Sequence, residues 1–453
     1  MSDTEATSRP SSGAPSRSVR HNIVWSTLGQ GVYNVCLWGM MVVLARLDRR
    51  GQLVGQFAIA YAVCLPVQLF FNLQLRAVLA TDARRRFEFS DYFTLRLLSL
   101  PLSFTVVVVV VMFGPYSSGP TAKVILSVAV VKAVDALSDC FQALFQQHER
   151  MDMTAISMMV RGLVGVAALS LGTIMTGSVT VGATTLAAVL TLALLLVDWP
   201  MARGLLRQRH LLQSPAPWST RRALLLEFSD LGRLRPLIWT ALPLGMWALV
   251  AALVQFIPQY TLERLCGIEP LGIFMTFFSV VVALSSVVAA IGEAVVPRLA
   301  RRIAEEDRAG FLALNLKFIG LIALICSVFV AGVALFGRHF LALVYGPTYA
   351  VEARTFLGLS VAAAAALVAG ALSSSVMAAW RFRALSLATV VVAASSALLH
   401  LVFVSRYGLF GTVPALGGIS VVTGVIYGAL FISIVRGIPA RPHERGLSPK
   451  TTS

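Results

Sequence analysis

The 453-residue sequence is 57% hydrophobic and 13% charged, with a mean hydropathy of +0.80. A soluble globular chain carries about 25% charged residues, so this composition excludes one. The formal charge of +16 would suit nucleic acid, but the basic residues lie between apolar runs, where membrane topology accounts for them, and no nucleic-acid partner is expected.

Residues 1–21 form a Ser/Pro/Arg stretch without the apolar core of a secretory signal, so a disordered cytoplasmic tail and a retained first span are expected. The runs that follow are long enough to cross roughly 30 Å of hydrocarbon as helices. Twelve spans are predicted, near 23–45, 54–75, 95–114, 122–145, 155–176, 180–200, 237–258, 271–293, 314–337, 355–377, 384–404 and 412–435. They divide into an N-terminal six-helix lobe (22–200) and a C-terminal six-helix lobe (237–436), joined by a polar linker (201–236) and followed by a cytoplasmic tail (437–453). Within the linker, 219–234 reads as a helix with Ser219 as N-cap. It could lie on the anionic inner leaflet or stand in water between the lobes, and both readings stay open.

Connectors sort by charge. One set is rich in arginine, from Arg84, Arg85 and Arg86 through Arg221 and Arg222 to Arg301 and Arg302, and the alternate set carries few cations. The positive-inside rule then places both termini in the cytoplasm. The far-side connectors (48–52, 115–121, 177–178, 259–270, 338–349 and 406–411) are short and leave no room for an extracytoplasmic catalytic domain.

The chain also repeats itself. Val24-Trp25-Ser26-Thr27-Leu28-Gly29-Gln30-Gly31 is echoed by Ile238-Trp239-Thr240-Ala241-Leu242-Pro243-Leu244-Gly245. Gly55-Gln56-Phe57 answers to Gly272-Ile273-Phe274. Arg76-Ala77-Val78 before Ala83-Arg84-Arg85 answers to Glu293-Ala294-Val295 before Ala300-Arg301-Arg302. A duplicated membrane unit is a common ground plan of secondary transporters. Pro66, Pro243 and Pro258, with Gly29, Gly31, Gly39 and Gly245, collect in the first two spans of each half. There they either let helices bend or allow close packing.

A charge at the centre of a spanning helix costs about 2.5–3.5 kcal/mol on insertion scales, so such residues face a cavity or a partner. Lys132, Asp135 and Asp139 share one face of the fourth span. They read as a cavity-lining stripe, with Lys132 attracting an anion and the aspartates coupling ions, or as a self-neutralising packing cluster. Gln30 and Asn34 lie one turn apart in the first span. Gln68, Asn72 and Arg76 step by four in the second, and Gln255 with Gln259 mark the seventh. Interhelical hydrogen bonding is the bland role for these amides. Arg76 and Glu293, matched in the repeats with opposite charge, are a candidate gate pair. Snorkelling to the interface is the alternative for Arg76; Arg161 could line the cavity or snorkel, whereas Asp198 and Lys317 read as interfacial and His400 as a hydrogen-bonded lone histidine.

The five cysteines show no metal spacing or disulfide framework. Neither a GxxxxGK[ST] phosphate loop nor HExxH, GxSxG or CxxC occurs. No enzyme chemistry, metal or cofactor is expected.

Several segments resemble the polysaccharide biosynthesis, or oligosaccharide flippase, proteins of the multidrug/oligosaccharidyl-lipid/polysaccharide exporter superfamily. They include Asn22 to Gly31, Leu44-Ala45-Arg46 followed by Gly55-Gln56-Phe57, Leu75 to Asp82, Pro297-Arg298-Leu299-Ala300, and Tyr345-Gly346-Pro347-Thr348-Tyr349. The Leu47-Asp48-Arg49-Arg50 turn departs from the Gly-Pro-rich loop more usual there. The resemblance implies an all-α membrane fold of two six-helix lobes around a central cavity. It implies a polyprenyl-diphosphate-linked oligosaccharide carried from the inner to the outer leaflet of a bacterial cytoplasmic membrane by alternating access. Arg76, Lys132 and Arg161 would attract the diphosphate, with Gln30, Asn34, Gln68, Asn72 and Gln255 beside them, and Asp135, Asp139 and Glu293 would serve coupling or gating. Partners would be membrane lipids and, in assembly, a glycan polymerase or related proteins. The alternatives are a cation-coupled multidrug exporter of the same fold, or a membrane-embedded glycan polymerase or ligase.

Overall fold

Backbone polar groups in hydrocarbon must be satisfied within the protein, so apolar runs of this length become helices. The computed structural model describes residues 19–438 apart from 49, 82–86, 118 and 214–230, and its regular structure is helical, with no strand among the described residues. The first half contains α1 (Val19–Leu47), α2 (Gln52–Asn72), a short α3 (Leu75–Thr81), α4 (Phe89–Phe113), α5 (Pro120–Gln147), α6 (Met151–Thr176) and α7 (Val179–Ala193). One π turn, Leu194–Asp198, carries α7 into α8 (Trp199–Gln213). The second half contains α9 (Leu231–Gln255), α10 (Ile257–Cys266), α11 (Ile268–Ala304), α12 (Arg308–Val344), α13 (Ala353–Ala371), α14 (Ser373–Ala378), α15 (Phe382–Tyr407) and α16 (Thr412–Gly437).

Every predicted span falls on helix. Among the described residues ten stretches are long and apolar enough to cross a membrane, and the last of them, Arg383–Gly437, holds two helices, α15 and α16. The fourth predicted span, α5, is not among them because Lys123, Lys132, Asp135 and Asp139 leave every 18-residue stretch of it with at least three charges, although it is apolar overall. Its surroundings explain the exception. α5 packs against α2, α3, α4, α6 and α7, so the least apolar of the predicted spans is enclosed by its neighbours. Phe93, Phe141 and Trp199 form an aromatic cluster that ties α4, α5 and α8 together.

Three boundaries differ from expectation. α2 stops at Asn72 because Leu73 and Gln74 both take left-handed backbone conformations (φ 49° and 51°), so Arg76 stands on the separate α3 and not on one continuous stripe. The connector expected at 259–270 is mostly the helix α10, opened by Pro258 in its first turn, where proline's missing N–H costs nothing. Helix also extends into the predicted linker from both sides, to Gln213 and from Leu231. Most of the expected linker helix lies outside the described residues.

The two halves meet mainly through α2, which packs on both α9 and α11. At the crossing of α2 and α11 the repeat becomes physical. A Cβ on Gly272 would fall on the Gly51 carbonyl, and one on Gly55 would fall on the Ile268 carbonyl. Since Gly55 and Gly272 are repeat partners, the contact is reciprocal: each repeat presents its glycine to the other's helix start. Gly29 against Ala155 and Gly245 against Phe70 are likewise close-packing positions, whereas Gly31 meets nothing. Outward-facing leucines, valines and phenylalanines such as Leu316, Leu324, Val328, Leu335 and Phe336 leave α12 with an apolar outer surface suited to lipid.

Candidate substrate cavity

The polar face of α5 looks into a cavity of about 300 Å³ inside the first half. Its wall includes Gln30 and Tyr33 from α1, Gln68 and Asn72 from α2, Arg76 from α3, Lys132, Asp135, Asp139 and Gln142 from α5, and Arg161 from α6. Eight of the residues singled out in the sequence thus share one wall, although they come from five helices. Asn34 takes part through Gln30, whose amide donates to its Oδ1 at 3.0 Å.

The cations are braced by carboxylates. Lys132 donates to Asp135 at 3.0 Å and sits 4.0 Å from the centre of the Tyr61 ring, a cation–π geometry. Arg161 donates to the other oxygen of Asp135 and lies 3.6 Å from Asp198. Asp198 in turn accepts from Ser138 at 2.5 Å. The Gln142 amide then bridges Ser138 and Ser157 at 3.4 and 3.2 Å. The stripe on α5 therefore lines a cavity and neutralises itself at once, so the two readings of the sequence are not exclusive.

One pair is wetter. Arg76 approaches Asp139 at 3.5 Å and Gln142 at 3.3 Å, and the two charged side chains are 40% and 41% exposed, against 5% for Arg161. Its guanidinium reaches the cavity because the left-handed break after Asn72 turns α3 back along α5.

Asp198, expected at the interface, is wholly buried and ion-paired with Arg161; the π turn that contains it swings its carboxylate toward α5 and α6. Lys317 is exposed on α12. His400 is buried, and its Nδ1 donates to the Ser396 carbonyl at 2.9 Å. Arg76 and Glu293 are not brought together in this conformation, since Arg76 turns to α5 while Glu293 is exposed on α11. Gln255 is exposed at the end of α9, outside the wall. The sequence reading passed over Arg96, Tyr33, Gln142, Ser138 and Ser157. Among the described residues Arg96 is the largest fully enclosed side chain, 1% exposed, and its signal was present in the sequence: a cation at the start of the third predicted span, which the structure places about two turns inside α4.

The second half offers smaller polar contacts. Asn315 accepts from Ser375 at 2.5 Å, and no cluster able to hold a metal ion occurs among the described residues.

Residues 19–302, more than half of the chain, match the family model described as "Polysaccharide biosynthesis protein". The capsular polysaccharide biosynthesis protein CapF of Staphylococcus aureus is 22% identical over 318 residues, covering 70% of this chain and 74% of CapF. Among solved structures, the fold matches an inward-facing multidrug resistance MATE transporter of the MOP superfamily (TM-score 0.67, 13% identity, 92% of this chain and 100% of that one). It matches the outward-facing conformation of a MATE transporter less well (TM-score 0.56, 13% identity, 94% and 97%). The lipid II flippase MurJ in an inward closed conformation also matches (TM-score 0.64, 10% identity, 92% and 90%). Helix architecture makes this a multi-pass membrane protein with the fold of these transporters, and the chain belongs to the polysaccharide biosynthesis protein family.

Proposed function

We propose that the protein carries a polyprenyl-diphosphate-linked oligosaccharide across the bacterial cytoplasmic membrane, from inner to outer leaflet, for assembly of a cell-surface polysaccharide. The observation that supports this most is the half-exposed Arg76 beside Lys132 and Arg161 in one membrane-embedded cavity. Guanidinium groups suit phosphoryl oxygens because their forked donors match them in shape and charge.

The transport reading has a mechanism. A diphosphate entering the cavity competes with Asp139 for Arg76. The released carboxylate then takes up a proton or metal cation, which links cargo to an ion gradient; Asp135, held by two cations, stays in place. Alternating access would open the α2–α11 crossing while closing the opposite face. The arginine-rich connectors support an orientation with both termini in the cytoplasm. Membrane lipids, and glycan polymerase or other assembly proteins, are the expected partners.

The test is a deletion strain with its glycan-assembly enzymes intact, in which the sidedness of lipid-linked oligosaccharide is read with a membrane-impermeant glycosidase on sealed, oriented vesicles. Complete units stranded on the cytoplasmic face, and returned outward by re-expression, are expected. Single units displayed outward but not polymerised would assign a polymerase or ligase. Unchanged glycan with new drug sensitivity would assign an exporter.

A further inference from the structure

Arg96, on α4, is enclosed on every side, and no carboxylate among the described residues lies within ion-pairing distance of it. Its Nε has no partner, and its Nη1 donates to Oδ1 of Asn72. An arginine has donors and no acceptor, so the Asn72 atom facing it can only be the oxygen. That same oxygen also accepts from Gln68 Nε2 at 3.0 Å. A carbonyl oxygen has two lone pairs, and both are now used. The Asn72 amide cannot turn over without setting N–H against N–H, and its NH2 group is left for the cavity that Asn72 lines.

Charge points the same way. Arg76, Lys132, Arg161 and Arg96 stand against Asp135, Asp139 and Asp198, which leaves one cation in excess, and Arg96 is the one without a carboxylate. A buried, unmatched cation is costly unless something answers its field. The Asn72 Nδ2 donates to no acceptor among the described residues, and beside the excess cation a ligand that offers oxygen acceptors and negative charge suits it.

We propose that Arg96 is a positioning residue of the cargo site. It locks the Asn72 amide with its N–H groups toward the cavity, so that Asn72 donates to a phosphoryl oxygen of the cargo while the Arg96 charge draws the anion in. Arg96 does not touch the cargo itself. This rests on the functional reading above and adds to it the residue that sets donor polarity.

The experiment measures binding of geranylgeranyl diphosphate, with geranylgeraniol as neutral control, to the full-length protein in detergent, together with its unfolding temperature. Asn72→Asp keeps the shape, gives Arg96 a carboxylate and removes both N–H donors. Binding is expected to fall tenfold or more, with no drop in unfolding temperature. Arg96→Lys, which keeps charge and donor, should bind within about threefold of the natural protein, and Arg96→Met should bind at least tenfold more weakly. This second pair stands independently should Asn72→Asp fail to fold. Natural protein that binds the diphosphate, with Asn72→Asp binding it equally well or Arg96→Met matching Arg96→Lys, overturns the inference alone. Natural protein that prefers the alcohol, or binds neither, overturns the functional reading and this inference with it.

Discussion

Trp38 on α1 donates its indole N–H to the Tyr345 hydroxyl at 2.9 Å, although the two residues stand 307 positions apart, one in each half. The same hydroxyl meets Ser279 of α11 at 3.2 Å. Around this contact, Arg46 donates to the Val344 carbonyl at 2.8 Å, capping the end of α12, and the Tyr349 hydroxyl reaches the Asp48 carbonyl at 3.5 Å. The Tyr345 to Tyr349 segment thus clasps the end of α1, at the face where the connector 48–51 meets α11.

If this clasp holds that face closed, Tyr345→Phe should loosen it. Removing a hydroxyl that serves two partners costs about 1–3 kcal/mol when they are left buried. In a background without native cysteines, a cysteine replacing the buried Thr276 should react several times faster with a membrane-impermeant maleimide once Tyr345→Phe is added. Equal rates would mean that the clasp does not limit opening.

The glycine crossing makes a sharper steric prediction. Gly272→Val places a side chain on the Gly51 carbonyl, and overpacking of this kind costs about 1–3 kcal/mol. Gly31→Ala, with nothing within 4 Å, should be neutral or stabilising. Unfolding temperatures in detergent that failed to separate the two would refute the reciprocal contact.

Arg161 is 5% exposed between Asp135 and Asp198. Removing one partner of a buried pair costs about 3–5 kcal/mol because the other charge is left uncompensated. Arg161→Met should therefore lower stability and abundance severely, and adding Asp198→Asn should recover part of the loss. A double variant no better than the single would show that the two do not share an interaction.

The Arg76–Asp139 pair behaves oppositely. Both side chains are about 40% exposed, and pairs screened by water contribute about 0–1 kcal/mol. Arg76→Gln should leave abundance and unfolding temperature nearly unchanged yet reduce outward display of glycan at least tenfold. Intact display at normal abundance would remove Arg76 from the site.

The sequence by itself determined the twelve spans, because long apolar runs have one solution in a bilayer. It located the charged stripe, because lysine and aspartate inside an apolar run stand out against their neighbours and their three- and four-residue steps fix a common face. It did not reveal that Arg76 leaves α2, since nothing in Leu73-Gln74 announces two left-handed residues. Nor did it separate Asp198 from an interfacial residue, because one turn of π-helix decides where its carboxylate points. Arg161 and Arg96 look alike as lone arginines within the first two turns of a predicted span. Only the tertiary structure gave one two carboxylates and the other none, because partners across helices depend on packing that no spacing along a single helix records.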